Sequence, residues 1–181
     1  MTYLLFPDNT VLVNFALMGR LDLFAALVDG RGAWTNTIAE ECRKGATKPG
    51  LESLARMPEI LGTPLLPTPA ERVATLVFRE RLASPGDRPS MHLGESEAMA
   101  IIVSRRFKAV FVTDDRGAAR LARSDDVGVR TYSTGDLLRL SVKSKLIDLD
   151  TGWDLVVLLR AKGRVVPGLP GSRDHYDKWV Q

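Results

Sequence analysis

The chain is poor in cysteine, histidine and aromatic residues: its 181 residues hold one Cys, two His and 7% Phe, Trp and Tyr. The lone thiol, Cys42, can close no intrachain disulfide and build no cysteine-based metal cage. Long apolar runs are lacking too. Ala98–Val103, among the longest, is far too short to cross a bilayer. Pro7 and Asp8 stand where a secretory signal needs its apolar stretch, and no basic residue precedes them. Repeats, low-complexity tracts and an interdomain linker are missing as well. These absences point to one domain of a cytoplasmic protein with no membrane partner.

What is present is ordinary for a globular chain, 45% hydrophobic and 26% charged. The net charge is +3 and the pI about 9.2, a mild excess that suits an anionic partner. If several of the 22 acids gather in one site, the remaining surface becomes strongly basic. A basic body around an acidic hole suits a metal-dependent enzyme acting on nucleic acid. The plainer alternative is a solvated charged surface.

Short apolar runs alternate with amphipathic stretches. Tyr3–Phe6 reads as a buried strand stopped by Pro7. Helical patterns cover Thr10–Met18 and Leu21–Val28, then Thr37–Lys44 with Gly45 at its end. Gly30–Trp34 reads as a turn into a short strand. Thr68, Pro69 and Glu71 spell a capping box for a helix running to Leu82, and Ser84–Pro89 is a polar loop. Gly94–Arg106 is the strongest helix pattern. Ala109–Thr113 is apolar throughout, as in a parallel strand covered on both faces. Arg116–Arg123 is helical, and Val129–Tyr132 is a further strand. Ser133 and Asp136 start another helix, and Asp150 is expected to cap the one running to Lys162. Such alternation predicts an α/β fold with a mainly parallel sheet. The Gly-, Pro- and charge-rich tail beyond residue 163 is expected to be irregular.

Carboxylates fall at telling places. Asp8 follows the first strand, and Asp114 and Asp115 follow the Ala109 strand. Ligands of parallel sheets bind beyond the strands' carboxyl ends, so these acids can be neighbours across the sequence. Either alone also fits a helix cap. Glu97 shares a helical stripe with Leu93, Ala100, Ile101 and Ser104, an inward face on which a carboxylate needs a partner or a metal. The alternative is that it complements the helix N-terminus. Glu95, about 200° round the helix, is expected to face elsewhere. One of Glu40 and Glu41 shares the inner side of its helix with Ile38 or Cys42. Together these acids supply hard oxygen ligands, which suit magnesium or manganese. Such a group repels itself unless a cation sits within it.

FPDNTVLVNF, TIAEECRKG, LGESEAMAIIVSRR and AVFVTDDRGAARLA resemble, in that order, the four acidic motifs of the PIN-domain nucleases. The third and fourth are most similar to the prokaryotic branch close to the VapC-like toxins of toxin–antitoxin pairs, and the resemblance covers residues 3–163. It implies a three-layer α/β/α sandwich over 1–163, followed by the irregular tail 164–181. Carried over position by position, it implies Asp8, Glu41, Glu97 and Asp115 as catalytic acids. Glu41 matches better than Glu40, and Asp115 better than its close second Asp114. Asp8, Glu97, Asp114 and Asp115 would bind magnesium or manganese. Thr113 would hydrogen-bond a site carboxylate or phosphate, and Asn9 would stand at the metal's edge. The activity implied is metal-dependent cleavage of single-stranded RNA, with Arg43, Lys44, Arg116 and Arg120 on its backbone. A cognate antitoxin and a homodimer are the implied protein partners. The competing class is a PIN-like RNA- or protein-binding module without activity. A haloacid-dehalogenase phosphatase would need an Asp two residues beyond Asp8, where Thr10 stands. A dinucleotide-binding fold would need a glycine-rich turn that PDNTV does not supply.

Overall fold

The computed structural model describes residues 3–181. The fold is mixed α/β, with a small parallel sheet among ten α-helices in the described residues. Its strands are β1 (Leu4–Pro7), β2 (Ala109–Val112) and β3 (Arg130–Tyr132), ordered β1-β2-β3 and all parallel. β2 lies in the middle and all four of its residues are buried, as a strand covered on both faces requires. β1 is an edge strand, where Pro7 is tolerated because its missing N–H leaves no ladder bond unmade. Pro7 pairs with Val112, so the two chains leave the sheet together, one into Asp8 and the other into Thr113.

Alternate strand residues enter two separate apolar clusters. Leu5, Val110 and Val112 join residues of α1 (Asn9–Leu17), α2 (Leu21–Val28), α3 (Asn36–Gly45), α8 (Thr134–Lys143) and α9 (Leu149–Ala161). Phe6, Ala109 and Phe111 join residues of α6 (Leu93–Ser104) and α7 (Arg116–Ala122). Between α3 and α6 lie a 3₁₀ turn (Glu52–Arg56), α4 (Met57–Leu61) and α5 (Pro69–Leu82). Both capping boxes form, Thr68–Glu71 at α5 and Ser133–Asp136 at α8. Arg105 clamps Glu71 with two bonds of 2.7 and 2.9 Å and so ties the end of α6 to the start of α5. The Gly30–Trp34 segment makes only an isolated bridge, Leu5 to Gly32, and no strand.

Two sequence expectations need correction at the C-terminal end. Asp148, and not Asp150, caps α9, accepting from the Thr151 N–H at 2.7 Å. Asp150 instead pairs with Arg173 at 2.6 Å. The tail is not irregular throughout: Arg173–Val180 form α10, capped by Ser172. Tyr176 of α10 is fully buried and lies against Trp153 and Trp179. Its ring reaches α9 because position 152 has no side chain: a Cβ on Gly152 would stand 2.1 Å from the Tyr176 hydroxyl. Among the described residues, no helix is long and apolar enough to cross a membrane.

Candidate functional site

The site forms where β1 and β2 end. Asp8 is 3% exposed, and its backbone N–H donates to Val112 O at 2.8 Å, continuing the ladder one residue past the strand. Asp8 occupies the N-cap position of α1 without making the side-chain cap bond. Its Oδ2 accepts instead from the Thr10 hydroxyl, and more loosely from the Thr113 hydroxyl at 3.5 Å. Thr113 in turn accepts from the Asp115 N–H at 3.1 Å, so this one hydroxyl links the two strand ends.

Glu41 arrives from α3 and Glu95 from the first turn of α6. These helices meet closely because Gly94 lacks a side chain: a Cβ there would stand 2.4 Å from Ile38 Cδ1 and 3.5 Å from Glu41 Oε1. Burial pushes Glu41 up to about 7, and the charges of Asp8 and Glu97 push the same way, against Lys44. Burial also raises Asp8 well above the usual carboxylate range, with the charge of Glu95 adding to it. Glu95 is raised first by burial and then by Glu41 and Asp115. The Cys42 thiol beside them is pushed up to about 12, by burial and then by Glu41 and Asp8. Asp8, Glu41 and Glu95 thus form one electrostatic group in which each charge burdens another. Among the described residues, no three His, Cys, Asp or Glu side chains stand, as placed, in a group that could hold a metal ion.

Glu97 is buried, and its charge also bears on Glu41, but its oxygens are engaged by α3. Its Oε1 accepts from the Thr37 N–H at 3.0 Å and its Oε2 from the Thr37 hydroxyl at 2.9 Å. Both oxygens therefore serve the first turn of α3. Glu95, expected to face elsewhere, instead stands among the acids, its carboxyl raised by Glu41 and Asp115. A stripe from Leu93 to Ser104 marks the inward side only of a helix that has a single inward face. Eight of its twelve residues are buried, from Gly94 to Ile102, and a helix enclosed on every side gives no single stripe to read.

The adjacent aspartates divide their roles. Asp114 accepts from the Thr134 N–H at 2.8 Å, the Thr134 hydroxyl at 2.6 Å and Asn14 Nδ2 at 2.7 Å. Arg164 completes this network by donating to Asn14 Oδ1 at 2.6 Å. Burial raises Asp114 above its ordinary value despite those donors. It is a structural junction of β2, α1 and α8, and its oxygens are committed to that role. Asp115 caps α7 through one oxygen, accepting from the Ala118 N–H at 2.6 Å.

Glu40 is half-buried and accepts from Asn36 Nδ2 at 3.0 Å. Asn9 does not reach the acidic group through its amide oxygen, which accepts from the Cys42 thiol at 3.4 Å. Arg43 and Lys44 are exposed in the last turn of α3, and Arg116 and Arg120 are exposed on α7. Trp34 is core, with its indole N–H on Gly62 O at 2.9 Å. Asn14 is the residue the sequence reading overlooked: an amide within an otherwise apolar helix stretch was the available signal. In comparison with known proteins, no family model, no curated protein and no solved structure matches the chain.

Proposed function

We propose that the protein is a divalent-metal-dependent nuclease of PIN type that cleaves single-stranded RNA. The observation that carries this reading is the convergence of Asp8, Glu41 and Glu95. They come from three separate elements to the carboxyl end of a parallel sheet, where their charges oppose one another. A stable fold gives little reason to gather three acids, Asp8 buried and the other two half-buried, that burden one another, with Glu41 offset only in part by Lys44 and Glu95 3.9 Å from the His92 ring. A hard divalent cation relieves that cost, and carboxylates are its natural donors. Asp8, Glu41 and Glu95 would hold it, with the free oxygen of Asp115 at the margin. When bound, such an ion supplies charge neutralisation at the scissile phosphate and an acidified water.

The chain's own residues supply the rest. Thr113 holds Asp8 against the end of β2. Asp114, Asn14 and Thr134 fix that strand end. Exposed Arg43, Lys44, Arg116 and Arg120 flank the acids and suit phosphates of an extended strand. The three-layer α/β/α architecture belongs to the same proposal and is supported by the two apolar clusters on which the strands' alternate residues draw. A cytoplasmic toxin's role, with an antitoxin partner and a homodimeric state, follows from the resemblance alone. Expression with and without the neighbouring gene, with growth and RNA integrity followed together, tests that part.

One observation favours the second reading, a binding module without activity. Glu97 and Asp114 have their oxygens committed to protein donors. Incubating a labelled single-stranded RNA with the purified protein and manganese separates the two. Cleavage that EDTA abolishes supports the nuclease, and binding without cleavage supports the module.

A further inference from the structure

Beside Asp115, at the carboxyl ends of β2 and β3, lies a cavity of about 410 Å³. Three parts of the chain enclose it. Along α7 it is lined by Arg116, Arg120 and the C-cap Arg123. β3 contributes Tyr132, which is 41% exposed despite its size. The C-terminal segment closes the remaining side with Trp179 of α10. Its volume is that of a small-molecule pocket.

Charges around this cavity are of both signs, but they are not equally available. Asp114 is saturated by Thr134 and Asn14, and Asp115 caps α7. Asp136 closes the α8 capping box on Ser133. Arg123 donates to Thr131 at 3.2 Å. Among the described residues, Arg116 and Arg120 have no hydrogen-bond or ion-pair partner. The cavity therefore offers two guanidiniums without protein partners and two aromatic rings, Tyr132 exposed and Trp179 with Arg139 over its ring at 5.7 Å, while each of its aspartates already accepts from at least one protein donor. Guanidiniums fit phosphate oxygens through paired N–H donors, and aromatic rings of any kind stack bases. A ligand with one aromatic face and one phosphate matches both halves.

We propose that this cavity is a nucleotide pocket. It takes one unit of the single-stranded chain next to the cleavage site, the base against Tyr132 and Trp179 and the phosphate against Arg116 and Arg120. The C-terminal helix is then part of the substrate-binding surface. This rests on the nuclease reading, which it deepens by placing a defined subsite beside the acidic group.

Calorimetric titration of the full chain in EDTA tests the pocket without metal or cleavage. The probes are adenosine monophosphate, ribose 5-phosphate and adenosine. Adenosine monophosphate should bind at least tenfold more tightly than either fragment. Arg120→Ala should weaken it about tenfold, and Tyr132→Ala by between about fivefold and 100-fold. Both residues are exposed, so the fold should tolerate either change, and Trp179→Phe should remove the ligand-induced change in tryptophan fluorescence. Equal affinity for adenosine monophosphate and ribose 5-phosphate would overturn the proposal. So would affinities unchanged in both Arg120→Ala and Tyr132→Ala. Nucleotide binding with no cleavage of any single strand would keep the pocket and remove the nuclease reading, and cleavage without nucleotide binding would do the reverse.

Discussion

Both carboxylate oxygens of Glu97 are held by Thr37, one by its N–H at 3.0 Å and one by its hydroxyl at 2.9 Å. This pair joins α6 to the start of α3. Glu95, two residues earlier, has no such pair of donors and is coupled by charge to both Asp8 and Glu41. The two glutamates should therefore respond oppositely to neutralisation. Glu97→Gln weakens two charge-assisted bonds and should cost about 1.5–3 kcal/mol of stability, with the folded fraction still active. Glu95→Gln should leave the melting temperature equal or higher and abolish cleavage. Urea unfolding and RNA cleavage measured on both variants check the assignment.

Asn14 offers a second test, because it bridges Asp114 and Arg164. Asn14→Ala leaves the half-buried carboxylate of Asp114 short of a donor, at a cost of about 1–3 kcal/mol. The expected signature is a lower urea midpoint with an unchanged slope. An unchanged midpoint would mean that Asp114 does not depend on this amide.

Much of the fold could be read from local chemistry. Val110, Phe111 and Val112 are apolar at every position, as a central parallel strand must be, and Thr68 with Glu71 spells its own cap. Asp8 was legible because a strand ends on it. Other features depend on contacts between distant segments. Asp148 and Asp150 are equivalent cap candidates until Arg173 engages Asp150. Glu95 and Glu97 cannot be ranked by periodicity on a helix buried all round. The α10 helix gains its anchor from Tyr176 over Gly152, a fit between side-chain shape and backbone that no local pattern records.

That anchor makes the tail a part of the domain. A chain ending at Gly163 loses Tyr176 from the core together with the Arg164–Asn14 bond. Removing one buried aromatic side chain alone costs about 3–5 kcal/mol. The shortened chain should melt far below the full one or fail to fold, by circular dichroism. Equal melting temperatures would restore the reading of 164–181 as a dispensable tail.

The Glu71–Arg105 clamp carries a pH dependence of known sign. Arg105 holds the Glu71 carboxyl down at about 2, against an ordinary value of 4.5. A carboxyl depressed in the folded state stabilises above its unfolded value, and that contribution fades as pH falls from about 4.5 towards 2. Glu71→Gln should thus be less stable than the parent at pH 7, with the gap narrowing through that window. A gap that stays constant down to pH 2.5 would show that the charge of Glu71 is not what the clamp uses.

The central claim is that Asp8 belongs to a cation-binding catalytic group and is not simply a helix cap. Asp8→Asn keeps the shape and removes the charge. Asparagine caps helices as well as aspartate does, so a cap role predicts no change in activity. The decisive measurement is manganese-dependent cleavage of single-stranded RNA by parent and Asp8→Asn, with the melting temperature of each recorded with and without the ion. The parent should cleave and gain stability as manganese is added, as a ligand bound only by the folded state requires. The variant should fold at least as well without metal, gain little from it, and cleave slower by orders of magnitude. Full activity in Asp8→Asn would contradict the account, as would a loss of activity wholly explained by unfolding.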